Sequence, residues 1–190
     1  MAAVQNAGLA IDWARQLLGA TWDELYQTLA DAGRTAPVFV PYLTGERTPV
    51  LDATIRGTWD RLDVAHNRAD LLRSAQSGVA CAIRHALASL PGPRPQAVRV
   101  AGRGTASLRT RQLLADILEV AILPMPSVDA SPLGAAQLAA DAASITLDRA
   151  ITPAADVVVP GQFASARQVD YARYRDTVDR MQSQHSVTKA

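Results

Sequence analysis

Between Arg68 and Leu90 the apolar residues Leu71, Leu72, Ala75, Val79, Ala82, Ile83 and Leu87 recur at the spacing of one helix face, and PGPRP at 91–95 ends the run. A stripe of that length commits the chain to one long helix with a buried side. The second half then repeats a strand-then-helix unit. AVRVAG (97–102) runs into a helix from Leu108 to Glu119, and VAILPM (120–125) leads through a loop to a helix over 131–143, with Ser131 and Pro132 reading as N-cap and first helical residue. Strands alternating with helices around one long helix predict an α/β fold.

The first half fits the same plan. Residues 8–19 hold Leu9, Trp13 and Leu17 at helical spacing, with Gly19 as the stop. A second helix begins with Thr21 three residues ahead of Glu24, a capping-box spacing, and is expected to end at Gly33. VFVPYL (38–43) reads as a short strand limited by Pro41, with 56–62 as its neighbour. Residues 150–162 read as a connection, 167–182 as a final polar helix that lays Tyr171, Tyr174 and Val178 on the body, and the closing SQHSVTKA as a frayed tail.

At 190 residues and 48% hydrophobic content the chain can bury a sizeable core. The net charge is +1, which gives no electrostatic reason to expect nucleic acid or an anionic membrane as partner. Without a charged-then-apolar leader or a run of about 20 apolar residues, a cytoplasmic protein is expected. Cys81, the single cysteine, sits in the apolar run VACAIRHAL and reads as core. His66 and His85 have no cysteine, histidine or carboxylate at metal-ligand spacing and His185 belongs to the tail, so no metal site is assigned. Glu46 and Arg47, in the proline-bounded PYLTGERTP loop, read as scaffolding whose charges meet each other or nearby backbone, and Trp22, Trp59, Asp52, Asp60 and Asp63 read as packing and surface.

Chemistry concentrates in VRVAGRGTAS, where a strand delivers Gly102 and Gly104 just ahead of a helix with Ser107 at its N-cap. Glycines admit a ligand close to backbone, and the amides and dipole of a following helix favour anionic or polar groups. Spacing alone leaves two readings open: a nucleotide cradle, or a turn whose glycines serve only backbone angles. The dinucleotide fingerprint fits poorly because its third glycine falls on Ser107, and there is no GxxxxGK[ST] phosphate loop.

PYLTGERTPVLDATIRG (41–57), VRVAGRGTASLRTRQLLADIL (98–118) and NAGLAIDWARQLL (6–18) resemble signature stretches of the FGGY carbohydrate kinases, most closely the xylulokinases. The resemblance implies an actin-like, ribonuclease-H-like C-terminal lobe over 1–162, followed by a helix and tail over 163–190. It also implies ATP with Mg2+, and nucleotide-facing positions at Gly8, Asp12, Gly102, Arg103, Gly104 and Ser107. Arg103 departs from the family's usual glycine, and a guanidinium there either clamps a phosphate or obstructs the adenosine pocket. In the family, the sugar pocket and the aspartate base belong to an N-terminal lobe, so no catalytic residue is assigned here and the isolated chain is expected to be inactive. The start is expected to fall after the first strands of the lobe, leaving Ala2–Gln5 as a strand with an open edge. The function implied is therefore the ATP-side half of a kinase acting on D-xylulose or a related pentulose. Its partners would be ATP or ADP, an N-terminal half, and a sugar only when that half is present. The competing reading is a non-catalytic remnant that binds a nucleotide, or a partner protein through its unpaired sheet edge, and a second copy of the chain is a further candidate partner.

Overall fold

The computed structural model describes residues 1–30, 35–125, 130–146 and 156–188. Helix α1 (Gly8–Leu17) is followed by α2 (Trp22–Gln27), which opens on the expected capping box. Thr21 Oγ1 accepts the Glu24 amide at 3.2 Å and the Glu24 carboxylate accepts the Thr21 amide at 2.7 Å. The chain then tightens into a 3-10 turn over Thr28–Ala30, and the expected stop at Gly33 lies outside the described residues. Strands β1 (Val38–Val40) and β2 (Thr58–Asp60) pair antiparallel, with Phe39 opposite Trp59. β1 is shorter than the apolar run because Pro41 has no amide to continue the ladder.

Helix α3 (Arg68–Ala88) is the long helix of the stripe. Asn67 caps it by accepting the amides of Ala69 and Asp70 at 2.8 and 3.2 Å, while Asp70 accepts the Asn67 amide at 3.0 Å. Gly78 lets α3 lie directly on β1: a Cβ there would stand 2.1 Å from the Phe39 carbonyl oxygen. Strands β3 (Ala97–Val100) and β4 (Ala121–Pro124) are parallel and joined through α4 (Leu108–Leu118), with Val98 opposite Ile122. Val158 adds an antiparallel bridge to Ile122. The earlier part of that connection, through residue 155, lies outside the described residues.

Three local expectations change. Helix α5 (Ala130–Ala142) begins one residue before Ser131, which puts Ser131 and Pro132 inside the first turn rather than at the cap. Proline is tolerated there because first-turn amides have no intrahelical acceptor. Helix α6 (Ala164–Thr188) extends beyond 167–182 at both ends, so SQHSVTKA is helical through Thr188, with 189–190 outside the described residues. The His185 ring, 3.1 Å from Thr54 Oγ1, ties that last stretch to the body. Ala2–Gln5 is not a sheet strand. It is stitched to the 44–48 loop instead: Ala3 and Thr48 exchange bonds of 3.1 Å through the Thr48 hydroxyl and amide, and the Gln5 amide donates to Glu46 Oε1 at 2.8 Å.

The core gathers Val40, Tyr42, Ile55, Leu114, Ile117, Ile122, Tyr174 and Val178 from β1, the loops after it, α4, β4 and α6. Cys81 belongs to the same cluster, and burial pushes its thiol pKa up, in keeping with a core role. The hydroxyls of Tyr42 and Tyr174 meet at 2.8 Å in this interior. Among the described residues no helix is long and apolar enough to cross a membrane.

His85 packs edge-on to Tyr174, and burial, with the Arg175 charge adding to it, holds its pKa down to about 4. The unfolded chain holds a histidine pKa of about 6.5, so unfolding takes up a proton between those two values. Stability is therefore expected to fall as pH drops from about 6.5 towards about 4, and His85→Gln should flatten that slope. Urea titrations at stepped pH measure both, and parallel slopes for the two chains would contradict the assignment.

Candidate functional site

The start of α1, helix α2, the middle of α3, the turn after β3 and the first turns of α4 enclose a cleft of about 560 Å³. Gly8, Arg103 and Gly104, expected from the sequence to share a site, line it together. A Cβ added at Gly8 or Gly104 would meet no atom within 4 Å, so the backbone at both points faces open space. Gly102 builds the approach: its φ of +99° turns the chain out of β3 into a single 3-10 turn, Arg103–Thr105. The Thr105 amide and hydroxyl close that turn on the Gly102 carbonyl at 3.1 and 2.9 Å. Ser107 stands at the N-cap of α4 as expected, but its hydroxyl makes no capping bond, and it lies beyond the cleft lining.

Asp12 is the predicted residue that the structure draws aside. Its carboxylate accepts Arg15 at 2.7 and 2.9 Å and Gln16 at 2.8 Å, along its own helix. Arg15 in turn lies over the Trp22 ring, 4.9 Å from its centroid. Ile11, one position earlier, faces the cleft instead.

Four cleft residues carried no signal in the sequence. Trp22, read there as packing or surface, lines the cleft with Tyr26, their rings stacked at 6.0 Å. Gln76 comes from the buried face of α3 and Thr110 from α4. Val79, Ile83, Leu113 and Leu114 complete a wall that is mostly apolar. Arg103 is exposed at the rim and has no ion-pair partner among the described residues.

The PYLTGERTP loop is built as a scaffold. Glu46 is buried, and its Oε1 accepts the amides of Gln5 and Arg47 at 2.8 and 2.7 Å. Burial, the larger influence, pushes its pKa up against those two hydrogen bonds. Backbone bonds of 2.9 Å in each direction tie Glu46 to Asp52 across the loop. Trp59 packs on Phe39, as the packing reading expected, and donates to Ser74 Oγ at 2.9 Å. Asp60 takes bonds from Thr177 and Arg180 on α6. His66 Nδ1 accepts the Asp63 amide at 3.0 Å. Among the described residues no group of three His, Cys, Asp or Glu side chains could hold a metal ion.

The fold is that of the C-terminal lobe of sugar kinases of the actin-like ATPase type, as the solved structures that it matches show. The ligand-bound xylulose kinase of Lactobacillus acidophilus matches with a TM-score of 0.82 at 26% identity, over 94% of this chain and 39% of that one. Residues 1–143 match the FGGY family of carbohydrate kinases, C-terminal domain, and the chain belongs to that family. The xylulose kinase of Escherichia coli (strain K12) is 35% identical over 150 residues, which cover 76% of this chain and 31% of the relative. That of Bacillus subtilis (strain 168) is 29% identical over 142 residues, 70% of this chain and 28% of the relative. The chain thus spans about a third of the length of these curated relatives.

The glycines of the cleft and of the scaffold loop answer differently to a methyl group. Gly8→Ala places its Cβ in open space within a helix and should stabilise the chain by roughly 0.5–1 kcal/mol. Gly45→Ala sets a Cβ 2.8 Å from the Ala53 backbone at a φ of +86° and should cost more than about 2 kcal/mol. Denaturant midpoints at fixed slope distinguish the two; equal effects would mean that the spaces above these glycines are alike.

Proposed function

We propose that this chain is the ATP-side lobe of a sugar kinase acting on a pentulose such as D-xylulose. The observation that carries this reading is the convergence of Gly8, Arg103 and Gly104 on one cleft, with open space over both glycines. Bare backbone admits the ribose and first phosphate of a nucleotide, and the apolar wall with the Trp22–Tyr26 pair suits a flat base. Arg103, exposed and without an ion-pair partner among the described residues, suits a phosphate clamp better than an obstruction. A magnesium ion bound with the nucleotide would supply charge neutralisation at its phosphates, and no described residue of this chain is assigned to hold it. The γ-phosphorus then leaves the bridging oxygen of ADP for a sugar hydroxyl, whose proton passes to a carboxylate of the N-terminal lobe. The chain contributes positioning of the nucleotide, one of the arrangements that phosphoryl transfer depends on. The same proposal has it work in the cytoplasm with the rest of such an enzyme.

The second reading, a non-catalytic module that binds a nucleotide or a protein partner, has one observation in its favour. Leu9, Trp13 and Leu17 form an apolar line on α1 with 57, 39 and 59% of their surface exposed. Reconstitution separates the two. The chain alone should produce no ADP with D-xylulose, L-ribulose or glycerol above a no-sugar control. Mixed with the N-terminal part of a related xylulose kinase, it should give sugar-dependent ADP. Turnover by the pure chain would overturn the division of labour, and silence of a complex shown to have assembled would favour the binding module.

Arg103→Gly should weaken ATP binding about tenfold, the scale of one charge-assisted hydrogen bond to phosphate. Calorimetric titration reads it directly. Tighter ADP binding by the variant would mean that the guanidinium obstructs.

A further inference from the structure

Two polar atoms behind the cleft wall are left unanswered by the fold. Gln76, 4% exposed, donates through Nε2 to the Leu25 carbonyl at 2.9 Å, Thr28 Oγ1 at 3.2 Å and the Leu72 carbonyl at 3.5 Å. Carbonyls only accept, so they fix which end of the amide faces them, and Oε1 is the atom left over. It is buried and has no hydrogen-bond partner among the described residues. Thr110 Oγ1, on the neighbouring helix α4, is in the same condition, and both residues line the cleft. Buried acceptors are nearly always satisfied, and a leucine at either position would serve packing without that penalty. Two such atoms on residues that line one mostly apolar cleft suit a ligand with a polar edge.

We infer that Gln76 and Thr110 are base-reading residues that select a 6-aminopurine nucleotide over a 6-oxopurine one. The inference rests on the nucleotide reading proposed above. A purine has flat apolar faces for Ile11, Trp22, Val79 and Leu113, and a polar edge for these two atoms. Gln76 Oε1 is held as an acceptor, so it takes a proton from an exocyclic amino group, whereas a 6-oxo group would set acceptor against acceptor. Thr110 can donate to a ring nitrogen beside that group. Because both atoms are buried in the free chain, contact takes a small rotation of the side chains around them.

The test is calorimetric titration of the full chain with adenosine diphosphate and inosine diphosphate, repeated on Thr110→Val and Gln76→Leu. Wild type should favour the adenine nucleotide by at least about tenfold, and each variant should lower that ratio severalfold, mainly by weakening the adenine nucleotide. Gln76 also ties α2 to α3, so thermal unfolding is followed in parallel, and Thr110→Val carries the test if Gln76→Leu unfolds. Equal binding of the two nucleotides by wild type, or a ratio unmoved in the folded variants, overturns the base-reading assignment and leaves the nucleotide cleft standing. Absence of binding by either nucleotide overturns the cleft reading and this assignment together.

Discussion

At Gly78, α3 lies so close on β1 that any side chain there would enter the Phe39 carbonyl. Two backbones meeting at that distance fix the height of α3 over the sheet, because packed interiors have no slack to absorb a displacement. One face of α3 then meets the core shared by α4 and α6, and another presents Gln76, Val79, Ala80 and Ile83 to the cleft. Raising α3 by the thickness of a methyl group would loosen the core and widen the cleft together. Site and stability are in this sense one arrangement.

The cleft combines a wall that is mostly hydrocarbon with a rim of glycine backbone and a single arginine. Such a surface binds by shape and by removal of apolar area from water, and leaves discrimination to the few polar groups within it. The scaffold loop has the opposite character. Glu46 is almost wholly withdrawn from solvent and spends its oxygen on backbone amides, so its charge organises chain rather than ligand. Both carry conspicuous residues in the sequence, and only their surroundings tell them apart.

The helices and the glycine turn were legible because their signals are local. The Thr21–Glu24 capping box, the α3 stripe and the turn at Gly102 each depend on residues within a few positions. What escaped depends on contacts distant in sequence. Gln76 resembles any polar residue on a helix until Leu25 and Thr28 are brought against it. Asp12 matched a family position and yet turns to Arg15, a choice made by rotamers. Ala2–Gln5 is expected as a strand from the family resemblance alone, but finds side-chain acceptors at Thr48 and Glu46 in place of a ladder. The length of α6 was underestimated because its end is held by Thr54, more than a hundred residues away.

That stitched N-terminal segment has a mechanical consequence. Asn6, fully buried, donates to the Gly45 carbonyl at 2.6 Å and accepts the Thr44 hydroxyl at 2.9 Å, and α1 begins two residues later at Gly8. The bonds from Ala3 through Asn6 fasten the 44–48 loop to the chain that enters the mouth of the cleft at Ala7 and Gly8. Moving the loop without the start of α1 would mean breaking those bonds, so one short stretch of chain anchors both.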